Sequence, residues 1–262
     1  ERIEDLLSRS KTRVKSLLQP NNIFEGLGIS YWGPFDGHDL EEMTEILSLS
    51  RFYGQPLLVH LRTKKGKGYA PAEENPTLYH GISPRMNGLD HPGQRAPGWS
   101  ETISGAVTRL AENDDRIVCL TAAMKDGTKL NGFFKRWPNR CFDVGIAEGH
   151  LLTYAAGLAA GGLRPFVFIY STFLQRAMDQ LLHDIAMQDL PVVVLADRAG
   201  LVGEDGETHQ GLVDICWGRV IPGLSLMAPR DAEEAEFMLA EAHRRGERDH
   251  ELAAFGHRRT TG

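Results

Sequence analysis

The chain has 262 residues, of which 42% are hydrophobic and 24% charged, and its formal net charge is -6. This composition suits one large globular domain or two smaller ones, and the acidic balance argues against nucleic acid as the main partner, because phosphate backbones attract concentrated Lys and Arg. No apolar run approaches membrane-spanning length and no signal peptide is visible, so we expect a cytoplasmic protein with no membrane partner. The three scattered cysteines have no metal-ligand spacing, which favours reduced thiols in a core.

The first 81 residues predict the end of one α/β domain. An amphipathic helix over residues 1–18 is followed by the turn-rich stretch "GLGISYWGPFDGHD". A helix from about Leu40 to Arg51 comes next, and the turn before it offers N-cap chemistry. The stretch "QPLLVHLRT" is a predicted strand that leads into the basic, glycine-bearing loop "KKGKGYAPAEENP". Residues 82–97 are rich in turn-forming residue types and are a predicted linker.

From residue 98 to 246, apolar runs alternate with helical patterns such as "FLQRAMDQLLHDIAMQ". The predicted strands are "RIVCLTA", "RCFDVG", "RPFVFIY", "PVVVLA" and "LSLMAP". Runs that are apolar along their length indicate strands buried on both faces. The sequence therefore predicts an α/β fold in which helices cover both faces of a parallel sheet. Residues 247–262 follow a helix without a recognisable strand, and we predict that they are disordered.

Polar and aromatic side chains follow these predicted strands. In an open parallel sheet, ligands bind beyond the carboxyl ends of the strands, and four loops are expected to meet at that edge. The loop that begins at Asp197 is the clearest candidate, because it is polar and unusually long for its position. The candidate site residues at this edge are Met124, Glu148, Tyr170, Phe173, Arg176, Arg198, Asp205 and His209.

Each candidate also has a purely structural explanation. Glu148 follows an apolar strand and precedes a helix of Leu, Ala and Gly, so we expect poor solvation that favours its protonated form. An acid in the first turn of a helix is also favoured by the helix dipole alone. Tyr170 and Phe173 belong to residue types that usually fill cores, and Arg176 suits a solvated helix face. Lys65 and its basic neighbours suit either an anion or a solvated loop.

Five stretches match one known family in order along residues 22–232. They are "GISYWGPFDGHD", "TKKGKGYAPAEENPTLYHG", "FDVGIAEGH", the run from "AAGLAAGG" to "DLPVVV", and "DRAGLVGEDGETHQG". The pairing of "YSTFLQRAMDQ" with "DRAGLVGEDGETHQG" is highly specific. Together they resemble the 1-deoxy-D-xylulose-5-phosphate synthases, thiamine diphosphate enzymes of the transketolase superfamily.

The resemblance assigns roles by position. It implies that Glu148 bonds the aminopyrimidine of thiamine diphosphate and relays a proton, and that Phe173 stacks on the pyrimidine ring. Tyr170, Arg176 and Arg198 match positions that hold the acceptor substrate and its phosphate, for which the planar guanidinium fork is suited. The remaining implied residues are Asp205 and His209 as catalytic groups near the reacting centre, and Met124, Lys65 and His80 on the cofactor side.

The implied reaction condenses pyruvate with glyceraldehyde 3-phosphate and releases carbon dioxide. The implied cofactors are thiamine diphosphate and Mg²⁺, and the full-length protein is expected to be a homodimer. Family members hold the metal and the diphosphate with a Gly-Asp-Gly motif and a downstream Asn, which this sequence lacks. We therefore assign no metal ligand in this chain.

The departures from the family lead us to expect an internal fragment that is inactive alone. Residues 1–81 match the C-terminal part of the diphosphate-binding domain, residues 98–246 match the pyrimidine-binding domain, and a third domain is not matched. Gly149 stands where the family usually has Gln, which we expect to weaken the support of Glu148.

Two other functions stay open at this stage. One is a free-standing, non-catalytic module that uses the same fold to bind a partner or a small ligand. The other is half of a transketolase, which the specific "DRAGLVGEDGETHQG" loop makes the weakest choice. The fragment hypothesis predicts that the isolated chain does not condense pyruvate with glyceraldehyde 3-phosphate when it is given thiamine diphosphate and magnesium.

Overall fold

The structure, a computed structural model, describes residues 23–77, 79–80, 98–202, 206–248 and 252–256, without the side chains of 246–248 and 252–256. It falls into two compact units whose division lies within residues 81–97. The helix predicted over residues 1–18 lies outside the described residues. The domain and linker bounds stay predictions.

The first unit is a small parallel α/β arrangement. Asp39 caps the longest of its described helices, because the side chain accepts hydrogen bonds from the backbone N–H groups of Glu41 and Glu42. This confirms the predicted N-cap chemistry. The strands are β1 (Ser30–Asp36) and β2 (Leu57–Arg62), and the helices are α1 (Ile23–Gly26), α2 (Leu40–Ser50) and α3 (Ala70–Glu74).

The stretch predicted as turn-rich contains strand β1, which is a correction. Gly33 and Pro34 lie where the register between β1 and β2 shifts, between Trp32 and Phe35. Proline has no N–H to donate, so it is tolerated at such an irregularity within a strand. Gly33 and Pro34 therefore mark an irregularity within strand β1 and do not interrupt the strand.

The second unit contains a six-stranded sheet in which every neighbouring pair is parallel, in the order β4-β3-β5-β6-β8-β7. This confirms the predicted parallel sheet. The strands are β3 (Ile117–Thr121), β4 (Cys141–Asp143), β5 (Arg164–Tyr170), β6 (Val193–Asp197), β7 (Leu224–Met227) and β8 (Leu252–Gly256).

Helices connect these strands. The α-helices are α4 (Trp99–Ala111), α5 (Asn131–Arg136), α6 (Glu148–Ala160), α7 (Ser171–Leu174), α8 (Met178–Gln180), α9 (Asp214–Gly218) and α10 (Ala232–Arg248). Short 3₁₀ turns occupy Pro138–Arg140, Gln175–Ala177, Ala186–Gln188 and Glu207–His209, and a π turn occupies Leu181–Ile185. The single helix predicted for "FLQRAMDQLLHDIAMQ" is thus helical but interrupted, and such interruptions are frequent near functional sites.

The prediction that residues 247–262 are disordered is wrong for two stretches. Helix α10 continues to Arg248, and Leu252–Gly256 forms β8, which pairs with β6 and β7. The run "LAAFG" is short and contains two alanines, which have weak strand preference, so its pattern does not indicate a strand by itself. Its position between two other strands supplies the hydrogen bonds that the isolated sequence does not reveal.

Alternate residues of each central strand face opposite sides of the sheet and enter two separate cores. Leu120 and Val167 pack with α6 on one side, whereas Phe166 and Leu195 pack with α4 and α10 on the other. Full burial of such a side chain contributes about 1.5–3 kcal/mol, so the sheet is held from both faces. This confirms that helices cover both faces.

Two of the three cysteines lie in the core as predicted, whereas Cys216 is exposed. Burial raises the pKa of Cys119 well above its usual value. No helix within the described residues combines the length and apolar character needed to cross a bilayer.

Candidate functional site

The carboxyl ends of four adjacent strands lie at one edge of the sheet, and β5 and β6 extend two residues beyond β3 and β4. Thr121, the last residue of β3, pairs with Asp143 of β4, and Tyr170 of β5 pairs with Asp197 of β6. The chain runs from β3 outward to β4 and then returns to β5 on the other side of β3, so the strand order reverses between β3 and β5, which is where open α/β sheets bind ligands. The loops that carry the predicted residues therefore follow strands that end at the same edge of the sheet, as the sequence predicts.

Glu148 is buried at the start of α6, with 6% of its surface exposed. The turn before it is fixed by Asp143, whose Oδ1 accepts hydrogen bonds from the backbone N–H groups of Ala123 and Gly145. The carboxylate of Glu148 accepts a hydrogen bond from Nη1 of Arg176 at 2.7 Å. The prediction of a poorly solvated acid in a first helical turn is confirmed. The contact with the Arg176 guanidinium was not predicted.

A row of cations and aromatic rings continues from this ion pair. The guanidinium of Arg176 lies 4.9 Å from the ring centre of Phe173, and that ring stacks on Tyr170 with centroids 5.8 Å apart. Arg198 lies over the other ring at 4.1 Å, and His209 meets Phe173 edge-on at 5.4 Å. Five residues predicted from separate segments are therefore in direct contact.

Met124 also belongs to this edge. Its sulfur accepts a hydrogen bond from the backbone N–H of Tyr170 at 3.2 Å, and only 6% of its surface is exposed. The tyrosine hydroxyl lies so close to Gly127 that a Cβ there would be 1.7 Å away. The loop after β3 therefore needs glycine at this position for the ring of Tyr170 to lie where it does.

The loop after β6 closes on itself. Gly200 and Gly211 exchange backbone hydrogen bonds of 2.7 and 2.9 Å. The side chain of Gln210 bonds both backbone groups of Val202, at 2.6 and 3.0 Å, and the carbonyl of Gly206 at 2.6 Å. Asp205 lies outside the described residues, so its predicted role stays a prediction.

A buried acid that the sequence interpretation missed lies beneath this loop. Asp214 is 8% exposed, and both its carboxylate oxygens lie within hydrogen-bond distance of the Ser171 hydroxyl, at 2.6 and 2.7 Å. Loss of solvation raises the pKa of Asp214, and the hydrogen bond from Ser171 opposes that rise only in part. The signal for this residue was a single acid inside the otherwise apolar run "VDICW".

Gln180 is a second residue that the sequence interpretation missed. A Cβ at Gly149 would lie 3.3 Å from Oε1 of Gln180, so the amide occupies the space beside the glycine. Arg176 and Gln180 are four residues apart and both contact the first turn of α6. Arg176 of this neighbouring segment holds the carboxylate of Glu148, and the expected effect of Gly149 stays a prediction.

The first unit holds the other two predicted cofactor-side residues. Nζ of Lys65 lies 2.9 Å from Nδ1 of His80. The neighbouring Lys64 is bonded to Glu73. The described residues contain no group of three or more His, Cys, Asp or Glu side chains arranged to hold a metal ion.

The parallel sheet, with a buried acid and an aromatic row at its carboxyl edge, defines an open α/β domain, a class in which ligands bind at the strand ends. The chain belongs to the transketolase pyrimidine-binding domain family, whose model matches residues 95–261. A second model, described as 1-deoxy-D-xylulose-5-phosphate synthase, matches residues 1–63. The resemblance stated from the motifs is confirmed.

Curated relatives extend the match. A 1-deoxy-D-xylulose-5-phosphate synthase of Clostridium perfringens strain SM101 is 48% identical over 240 residues, which are 91% of this chain and 39% of the relative. Its counterpart in Aquifex aeolicus strain VF5 is 49% identical over 228 residues, or 86% of this chain and 36% of the relative. The chain therefore spans about 39% of the length of such relatives.

Solved structures agree with the fold. A split gene transketolase, described as an inactive beta4 tetramer, has a TM-score of 0.53 and 29% identity, over 62% of this chain and 52% of that one. A transketolase from Leishmania mexicana has a TM-score of 0.54 and 20% identity, over 60% of this chain and 24% of that one. The second likeness supports the α/β fold alone.

Proposed function

We propose that this chain supplies the pyrimidine-binding site of a thiamine diphosphate-dependent 1-deoxy-D-xylulose-5-phosphate synthase. The reaction is the condensation of pyruvate with glyceraldehyde 3-phosphate with loss of carbon dioxide. The observation that carries the proposal is the buried Glu148 at the carboxyl edge of the sheet, in contact with Arg176 and close to the aromatic row.

The residues present fit the pyrimidine part of the cofactor. A pyrimidine ring offers a flat face and ring nitrogens, and the edge offers the partly exposed ring of Phe173 and the carboxyl group of Glu148. Thiamine diphosphate, when bound, supplies a carbon centre that accepts the electrons left by decarboxylation. Glu148 holds or gives up a proton at its carboxyl oxygen, and α6 fixes where that oxygen lies.

Arg176 competes for the same carboxylate. Its side chain is 57% exposed, so it can leave the acid with little loss of packing. The guanidinium donates to Oε1 of Glu148, so this oxygen is occupied as an acceptor while the two groups are bonded. Release of this arginine to an anion in solvent would let the acid serve the pyrimidine.

Arg176 and Arg198 suit the phosphate of the acceptor substrate. Both guanidinium groups lie over rings of the same aromatic pair, at 4.9 and 4.1 Å, so both cations lie beside the same two rings. A guanidinium meets phosphate oxygens through two parallel hydrogen bonds. The proposed holoenzyme also contains magnesium, whose ligands are not assigned to this chain.

A chimera tests the activity. The stretch of the Clostridium perfringens relative that aligns with this chain is replaced by the chain's own 240 residues, and formation of 1-deoxy-D-xylulose 5-phosphate is measured. We expect turnover within about tenfold of the parent, which corresponds to a barrier change of about 1.4 kcal/mol. The matched control carries the equivalent stretch of the Clostridium tetani relative. An active control beside a folded but inactive chimera would contradict the proposal.

The isolated 262-residue chain is expected to give no product with the same substrates, thiamine diphosphate and magnesium. The sequence lacks the Gly-Asp-Gly motif and the downstream Asn that hold the metal and the diphosphate in the family it resembles, so we expect the cofactor to lack the counter-charge for its diphosphate. Product formation by the isolated chain would refute this expectation and leave the chimera result standing.

We also propose that the protein acts as a homodimer. Several large apolar side chains of the second unit are exposed, among them Ile146 at 82%, Leu201 at 73% and Val220 at 74%. Such side chains are available to an interface, and the split gene transketolase that this chain resembles is described as a tetramer. Sedimentation of the chimera at several concentrations tests this, since a monomer at all concentrations would exclude the homodimer.

A further inference from the structure

Thr172 and Phe173, which follow β5, contact the part of the next loop that carries His209. The hydroxyl of Thr172 donates to the carbonyl of Thr208 at 3.2 Å, and the ring of Phe173 meets the His209 ring with centroids 5.4 Å apart. Nδ1 of His209 also lies 2.8 Å from the hydroxyl of Thr208. The histidine is therefore placed against the aromatic row by its neighbours in the loop.

The residue before them, Ser171, sets where the loop ends. A Cβ on Gly211 would lie 2.2 Å from the Ser171 hydroxyl oxygen and 2.8 Å from Cα of Ala199. The glycine backbone thus rests directly on the serine hydroxyl. Gly211 is also paired with Gly200 through two backbone hydrogen bonds, so the serine hydroxyl lies under the closure of the loop.

Asp214 determines where that hydroxyl points. Ser171 is fully buried, and its single hydroxyl proton is directed to the carboxylate of Asp214, with both oxygens 2.6–2.7 Å away. The acid opens helix α9, three residues beyond Gly211. Burying a carboxylate costs free energy unless the group is hydrogen-bonded. Loss of the bond to Ser171 would therefore destabilise the buried acid.

We infer that Asp214 is a positioning residue for His209. It directs the hydroxyl of Ser171, the hydroxyl supports the backbone of Gly211, and the closed loop then presents His209 to Phe173. The inference rests on the proposed function only for its consequence in turnover, since the histidine is proposed to act near the reacting centre. The placement itself is a property of the chain without cofactor.

Proton NMR of the histidine rings in the 262-residue chain tests the placement. A nearby aromatic ring displaces the Cε1–H resonance of His209, and the Phe173→Leu variant gives the position of that resonance when the ring is removed. We expect Asp214→Ala and Ser171→Ala to move the resonance most of the way to that position. Asp214→Asn is expected to leave it near the wild-type position, because the amide oxygen still accepts the serine hydroxyl.

The controls separate positioning from stability. His150 stacks on Tyr154 within α6 and serves as an internal reference that no variant should move. A wild-type His209 resonance in folded Asp214→Ala would overturn the inference, as would an Asp214→Asn shift as large as that of the alanine variant. If Asp214→Ala does not fold, Ser171→Ala decides by the same criterion. A folded but inactive chimera beside an active control would count against the proposed function and leave this test unaffected.

Discussion

The two edges of the large sheet place acids in opposite electrostatic environments. At the amino edge, Asp114 is bonded to Arg116 through both carboxylate oxygens and contacts His243, and the hydrogen bonds from Arg116 lower its pKa to about 2. At the carboxyl edge, Asp214 has a hydroxyl as its partner, and burial raises its pKa. The first edge gains stability from its acid, whereas the second keeps an acid at a cost.

This difference indicates where the domain is optimised for stability and where for a site. Arg140 at the amino edge satisfies three backbone carbonyls, those of Ala111, Asp114 and Ile117, at 2.8–3.2 Å. The groups at the carboxyl edge instead include an exposed arginine on Glu148, the buried Asp214, and Arg198 at a φ of +58°. Left-handed backbone at a non-glycine residue costs free energy and is found disproportionately at functional sites.

The largest effect on folding is expected at the amino edge. Arg140→Met removes the donors of those carbonyls, and each unsatisfied buried group costs roughly 1–3 kcal/mol, so we expect the free energy of unfolding to fall by about 3 kcal/mol. Urea denaturation of the 262-residue chain measures it. Arg230→Met, which breaks an exposed pair with Asp231, is the matched control and should cost at most about 0.5 kcal/mol. Equal losses in the two variants would remove the basis for the comparison.

An intermediate effect is expected for Asp114→Asn. Because the folded-state pKa is lowered from 3.8 to about 2, the charged acid stabilises the fold above pH 4, and this contribution disappears as the pH falls through 2. After allowance for solvent screening we expect a loss of about 1 kcal/mol at pH 7. Denaturation curves at pH 7 and near pH 2 check the sign. The two proteins should converge in acid, and a constant difference would show that the ion pair is not the cause.

The smallest effect is expected for Asp214→Asn, with the opposite sign. Because the folded-state pKa is raised, the acid favours the fold below its usual pKa, and that contribution is lost as the pH rises through the folded value. The neutral amide avoids the cost of a buried charge, so the free energy of unfolding at pH 7 should be unchanged or higher by up to about 0.5 kcal/mol. A clear loss at pH 7 in the same denaturation assay would mean that the carboxylate is stabilising, and would break the contrast with Asp114.

The parts of the site that the sequence predicted are those set by local pattern. The apolar run before Glu148 and the small-residue helix after it indicate a buried acid at a helix start, and the structure confirms both. The predicted edge followed from parallel strands, whose carboxyl ends must lie together. The motif resemblance located Phe173, Arg198 and His209, and the structure brings them into one row.

The parts that the sequence did not predict are contacts between distant segments. Arg176 reaches Glu148 across 28 residues, and Ser171 reaches Asp214 across 43. A periodic pattern tells which face of an element is buried, but it does not tell which partner lies opposite a given side chain. The contact between Gln180 and the space beside Gly149 could not be predicted for the same reason. Strand β8 is recognisable only from its neighbours in the sheet.

Glu148, the buried acid at the carboxyl edge, is proposed to serve the pyrimidine of thiamine diphosphate. The most direct measurement is the turnover number of the active chimera with Glu148→Ala, at saturating cofactor and substrates, with folding checked by circular dichroism. Loss of a positioned acid–base group costs roughly 10²–10⁴-fold in rate, so we expect a fall of that size with the fold intact. A folded Glu148→Ala chimera that turns over at the parent rate would contradict the account.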